Sequence, residues 1–164
     1  MAKISYASGL SDVPLIGETI GEMLENIVKQ YPDNEALVAV DQNIRWTYSE
    51  FLLKVDELAR SLMALGVEKG DRVAIWAMNY AEWVVVQFAT AKCGAIMVNI
   101  NPAYRTFELE YALKQSEVHT LILQGRFKNS DYVGMLYEAC PEIIESRAGK
   151  ISTEKFPFLR NVVF

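Results

Sequence analysis

At 164 residues, with 51% apolar and 23% charged side chains, the chain has the balance of one folded domain, which excludes the disordered class. A formal net charge of −5 and scattered Lys and Arg exclude a nucleic-acid partner. The two cysteines, Cys93 and Cys140, form no CxxC pair and lie in apolar, helix-patterned stretches, so they read as buried reduced thiols of a cytoplasmic protein.

The opening MAKISYASGLSDVPLIG holds no sustained apolar run, so residues 1–18 are expected as an extended lead-in with no signal peptide. Apolar residues Ile20, Leu24, Ile27 and Val28 then share one face of a helix predicted over Ile20–Gln30, with Thr19 and Glu22 at capping-box spacing. Pro32 stops it. Short strands are expected at Ala36–Val40 and Ile44–Trp46, around the polar turn Asp41-Gln42-Asn43. In WTYSEF, Thr47 and Glu50 form a second capping box, and Trp46 and Phe51 fit a hydrophobic staple. That helix runs past Leu62 and ends at Gly66.

Strand and helix now alternate. The predicted order is strand Arg72–Ala77, helix Ala81–Cys93 stopped by Gly94, strand Ile96–Asn101, helix Thr106–Gln115, strand Thr120–Leu123 and helix Asp131–Cys140. A polar connector over 142–160 leads to the start of a further strand at 161–164. The alternation predicts an α/β core over 19–141, doubly wound, with a mainly parallel sheet and helices on both faces. Trp83–Tyr104 is apolar but broken by Lys92, Gly94 and Pro102, so it is not expected to be transmembrane.

Chemical motifs are sparse. Neither GxGxxG nor GxxxxGK[ST] occurs. The lone His119 has no acidic or cysteine neighbour in sequence, so no base or metal role is expected for it. Glu108 and Glu110 fall on different faces of one helix, with Glu108 in the first turn, where it complements the dipole. EKGDR at 68–72 reads as a solvated turn. Ligands of open α/β sheets gather at strand carboxyl ends. Here those ends are Met78-Asn79-Tyr80, Asn101–Arg105 and Gln124-Gly125-Arg126, with Asn79 and Glu82 spaced as a capping box.

Three segments carry a resemblance: WTYSEF at 46–51, KGDRVAIWAMNYAEWVV at 69–85 and ATAKCGAIMVNINPAYRTFELEYAL at 89–113. Their order and spacing resemble the adenylate-forming family of acyl-CoA synthetases, luciferases and peptide-synthetase adenylation domains. SYASGLSDVPLIGETI at 5–20 is similar to bacterial medium- and long-chain fatty-acyl-CoA synthetases in particular. The resemblance implies a parent enzyme that activates a fatty acid with ATP and Mg2+ and passes the acyl group to CoA. It implies that this chain is an N-terminal portion of the AMP-binding domain. The family's Ser/Thr/Gly-rich phosphate loop, acidic metal-binding residue, ribose-binding Asp and late Lys have no counterpart in it. No catalytic residue, metal ligand or bound cofactor is therefore expected in the chain, which is expected to be inactive alone. By the same resemblance, Pro102, Ala103, Tyr104 and Arg126 would lie near the CoA nucleotide. An aryl-CoA or other acyl-adenylating ligase, and a free-standing α/β interaction module, are the alternatives. A surface bared by truncation is expected to drive self-association.

Overall fold

The computed structural model describes residues 9, 12–146 and 149–164, so most of the expected lead-in, and with it the start of the family-like segment at 5–20, lies outside the described residues. Helix α1 covers Ile20–Gln30. Its capping box is formed: the Glu22 N–H donates to Thr19 Oγ1 at 3.2 Å, and the Thr19 N–H donates to Glu22 Oε2 at 2.8 Å. Strands β1 (Glu35–Ala39) and β2 (Ile44–Thr47) make an antiparallel hairpin. Its turn is a 3-10 turn over Val40–Gln42, with Asn43 left-handed at φ 53. Helix α2, Tyr48–Ala64, starts on the second capping box, with Glu50 N–H to Thr47 Oγ1 at 3.2 Å and Thr47 N–H to Glu50 Oε2 at 2.8 Å. Trp46 and Phe51 enter the same apolar cluster, as a staple requires.

Gly66, at φ 83, ends α2 because the backbone there is left-handed, where a Cβ is costly. The Gly66 N–H donates to Met63 O and the Val67 N–H to Leu62 O, both at 3.0 Å, and Leu62 and Val67 are buried. That is a full Schellman cap.

The central sheet has strand order β4-β3-β5-β8 and every pair is parallel. Its strands are β3 (Arg72–Trp76), β4 (Ile96–Asn99), β5 (Thr120–Leu123) and β8 (Asn161–Val163). Helices α3 (Ala81–Cys93) and α4 (Thr106–Gln115) are the crossovers from β3 to β4 and from β4 to β5. After β5 the chain makes a hairpin of β6 (Arg126–Phe127) and β7 (Ser130–Asp131), then helix α5 (Tyr132–Ala139).

Alternate residues of β3 divide the core, as the period of a strand demands. Ala74 and Trp76 join Leu109 and Leu113 of α4 and Leu136 of α5. Val73 joins Leu24 of α1, Val55 of α2 and Ala89 of α3. Fully burying a side chain of this size is worth about 1.5–3 kcal/mol. Helices thus lie on both faces and the α/β reading holds, with one correction. On the α2–α3 side the cover stops short of β5 and β8, leaving Ile122 and Val163 to line an open cleft. The 142–160 stretch is not polar throughout, because Phe156 and Leu159 enter the α4–α5 core. Among the described residues no helix is long and apolar enough to cross a membrane.

Candidate functional site

The connections fix where a ligand can meet backbone ends. From β3 the chain moves one way to β4 through α3, then returns across β3 to β5 through α4, packed on the opposite face. Strand order therefore reverses between β3 and β5, and the crevice outside their carboxyl ends is the expected ligand position of an open α/β sheet.

A cavity of about 370 Å³ lies there, walled by Ile75 and Ala77 from β3 and its end, Ile122 from β5, Tyr80 and Trp83 from the start of α3, and Val163 and Phe164. A neighbouring cleft of about 470 Å³ continues over Trp46, Leu58, Val86 and Ile122. Their walls are held by polar contacts. The Trp83 indole N–H donates to Ala77 O at 3.1 Å. Gln124 Oε1 accepts the Met78 N–H at 2.5 Å, which ties the ends of β3 and β5 together, while Gln124 Nε2 is buried without a partner. Such an orphaned donor costs about 1–3 kcal/mol. A third cavity, about 170 Å³, sits at the amino end of the sheet among Leu113, Val118 and Phe156–Leu159; its position beside the core clusters makes it a packing gap away from the crevice.

The start of α3 departs from the sequence expectation. Asn79 and Glu82 do not form a capping box; the N-cap is Tyr80, with no side-chain cap of its own. Gln42 does the capping from the β1–β2 turn. Its Oε1 accepts the Ala81 N–H at 2.7 Å, and its Nε2 donates to Glu82 Oε2 at 2.9 Å. Only the polar character of the turn hinted at Gln42.

Pro102, Ala103 and Tyr104 lie in the loop after β4, and Arg126 opens β6 in the hairpin after β5. The Tyr132 hydroxyl donates to Pro102 O at 3.0 Å, and the Arg105 guanidinium donates to Ser130 Oγ at 3.0 Å, so loop 101–105 is tied to the β6–β7 hairpin. Asn101 shapes the loop: its Oδ1 accepts the Ala103 N–H at 2.9 Å, and its carbonyl accepts the Tyr104 N–H at 3.0 Å and the Trp76 indole N–H at 3.1 Å. Arg126 joins this group only through the hairpin. Its side chain is 72% exposed and its Nη2 stands 3.1 Å from Asp131 Oδ2. Asp131 also caps α5, accepting the Gly134 N–H at 3.0 Å. That backbone bond, then Arg126, holds the Asp131 carboxyl below the usual carboxylate range. The Lys128 ammonium stands 5.2 Å from the Phe127 ring centre. Tyr104, Arg126 and Arg105 are exposed, and Pro102 is half-buried.

Two structural readings of the sequence also need correction. His119 does have an acidic partner: Asp71 Oδ1 lies 3.4 Å from its Nε2, although the two are far apart in the chain. EKGDR is accordingly no simple solvated turn, since the Asp71 side chain is only 14% exposed. This cluster is at the amino end of the sheet, opposite the crevice. Glu108 does cap α4, accepting the Arg105 N–H at 3.0 Å. Both cysteines are free, Cys140 buried and Cys93 partly so, and burial raises both thiols above their ordinary value. Among the described residues, no group of three or more His, Cys, Asp or Glu could hold a metal ion.

Comparison with known proteins agrees with this geometry. The family described as AMP-binding enzyme matches residues 24–156. The chain is 43% identical over 150 residues to YngI of Bacillus subtilis (strain 168), covering 92% of this chain and 27% of that protein. It is 41% identical over 159 residues to the mitochondrial medium-chain acyl-CoA ligase ACSF2 of Danio rerio, covering 97% of this chain and 26% of the ligase. Among solved structures, a Mycobacterium tuberculosis fatty acyl CoA synthetase superposes with a TM-score of 0.70 at 25% identity, over 88% of this chain and 26% of that one. The chain spans about a quarter of the length of the curated relatives it matches.

Proposed function

The chain belongs to the AMP-binding enzyme family, and from that premise we propose that it forms the N-terminal part of a fatty-acid–CoA ligase of medium to long chain specificity. The proposed reaction joins the carboxylate of the fatty acid to the adenylyl group of ATP, releasing pyrophosphate, and then passes the acyl group to the thiol of CoA, releasing AMP. The observation that carries this reading is the 41% identity to a medium-chain acyl-CoA ligase across 97% of the chain.

In this reading the chain supplies scaffold and one edge of the CoA site. The phosphates of CoA call for cationic hydrogen-bond donors at that edge. The residue that fits such a contact is Arg126, whose exposed guanidinium has donors left after Asp131. Pro102, Ala103 and Tyr104 would line the neighbouring wall. In this reading, metal and triphosphate handling fall to the parts of the ligase that this chain, about a quarter of its relatives' length, does not span. The isolated chain is expected to be inactive. Its cleft over Ile122 and Val163 supports self-association when the chain is alone, which sedimentation at micromolar concentration would read as a dimer and refute as a monomer.

A chimera tests the assignment. This chain would replace the matching 26% of the Danio rerio ligase, and fatty-acid-dependent exchange between ATP and pyrophosphate would be measured. Activity with fatty acids, absent from the chain alone, is expected. A folded chimera inactive with every fatty acid, or active only with aromatic acids, would refute the fatty-acid reading.

A further inference from the structure

We propose that His119 is a proton-sensitive fastener for the last strand: its imidazole, unprotonated at Nδ1, holds the amino ends of β3, β5 and β8 together, and protonation there loosens β8 with the segment leading into it. The argument starts from the backbone. The His119 N–H donates to Arg72 O at 2.9 Å, and its carbonyl accepts the Arg160 N–H at 2.8 Å and the Asn161 N–H at 3.2 Å. One residue thus joins the entrances of three strands. Its ring is 6% exposed and packs against Phe158, centroids 5.8 Å apart, so the segment before β8 lies on it.

The ring adds a bond that only one protonation state can make. Nδ1 accepts the Arg72 N–H at 3.2 Å. The neutral tautomer therefore carries its proton on Nε2, toward Asp71. A proton on Nδ1 would set two donors against each other, and the ring would have to turn beneath Phe158.

Four charged groups face the ring. Asp71 and Arg72 come from the approach to β3 and its first residue, Glu117 from the turn after α4, and Arg160 from the approach to β8. Arg160 is itself 3.8 Å from Asp71 Oδ1. The two carboxylates and two guanidiniums act in opposite directions, and burial is the largest influence on the ring. Burial holds His119 below its ordinary 6.5; Asp71 opposes, and Arg72 and Arg160 assist.

A histidine lowered in the folded state binds its proton more readily when released. The fastening is complete above about pH 6.5 and weakens as pH falls through that value toward the ring's own midpoint. One further feature makes β8 the element that yields: Asn161 Oδ1 is buried without a donor.

His119 is the only histidine, so its ring proton signals in an NMR titration need no assignment by mutation. The expected midpoint lies below 6.5. Over the same range, the opening constants of the Arg160 and Asn161 amides, from hydrogen exchange corrected for intrinsic rates, should rise by up to about tenfold per pH unit. In His119→Asn, the amide oxygen can still accept from Arg72 but does not titrate, and the pH dependence should vanish. A ring that titrates at or above 6.5 would overturn the proposal. So would a titration that leaves the two amides unmoved, or pH-dependent loosening that survives in the variant. Should the variant not fold, the wild-type titration decides alone.

Discussion

Replacing Gln42 by alanine should weaken the whole domain, although Gln42 sits in a surface turn. The side chain makes two bonds to the first turn of α3, to the Ala81 N–H at 2.7 Å and to Glu82 Oε2 at 2.9 Å. Ala81 is 1% exposed, so its N–H loses its acceptor where water enters poorly. A buried donor left unsatisfied costs about 1–3 kcal/mol. The Glu82 contact is exposed and adds a few tenths at most, in the range of about 0–1 kcal/mol for surface polar pairs. Gln42 is half-buried, so some hydration of Ala81 is available in the variant, and the lower half of the range applies: about 1–2 kcal/mol. Urea denaturation followed by far-UV circular dichroism would read it. With a slope of about 1–3 kcal/mol per molar urea, the midpoint should fall by roughly 0.3–2 M. Glu82→Ala should cost much less, and the double variant should show coupling. A Gln42→Ala midpoint unchanged within error would mean that solvent caps α3 and that the turn is not a structural brace for the crevice wall.

Thr47→Ala removes one half of the α2 capping box and should cost about 1 kcal/mol by the same assay; no change would mean that the cap is inert. Lys92 bridges α1 and α2, with Nζ 2.6 Å from both Glu25 Oε1 and Asp56 Oδ1. Burial opposes its charge, yet the bonds to Asp56 and Glu25 win and raise the ammonium above its ordinary 10.5. A raised lysine stabilises fully below its unfolded value and less above it, so α1 should detach first as pH climbs past about 10.5. Lys92→Met should cost about 1–2 kcal/mol and remove that alkaline step, both visible in pH-dependent thermal melts. Glu117 is left-handed at φ 49 after α4, so Glu117→Gly should melt above Glu117→Ala by about 1 kcal/mol of stability. Both variants lose the contact with Arg72 equally, and equal melting would show that the backbone there carries no strain.

Where signals are local, sequence and structure coincide. Helices α1, α3 and α4 and strand β5 have the boundaries expected of them, because Thr19, Gly94, Arg105 with Glu108, and the apolar run TLIL act within four residues of the ends they define. Contacts between distant residues were illegible. Nothing in WAMNYAEW indicates that Gln42 caps α3, and the expected Asn79–Glu82 pair lost to it because Gln42 reaches both Ala81 and Glu82. His119 and Asp71 meet only because β3 and β5 are paired. The β6–β7 hairpin carried no turn signature, since Lys128 rather than glycine takes the left-handed position at φ 49. The carboxyl-end loops were legible as positions, through strand order; the apolar crevice behind them was not, because Trp83 and Phe164 reach it from separate elements.

The all-parallel order β4-β3-β5-β8 also governs how the domain comes together in time. No pair in that sheet is joined by a tight turn, so each pairing waits for a crossover to close, which slows folding relative to hairpin-built sheets. During synthesis, β3, β4 and the helices α2 and α3 are complete before β5 emerges. The outer edge of Thr120–Leu123 then stays open until Asn161–Val163 follows it out of the ribosome. We expect that interval, with an apolar strand half paired, to be when the nascent chain is most prone to misassociate.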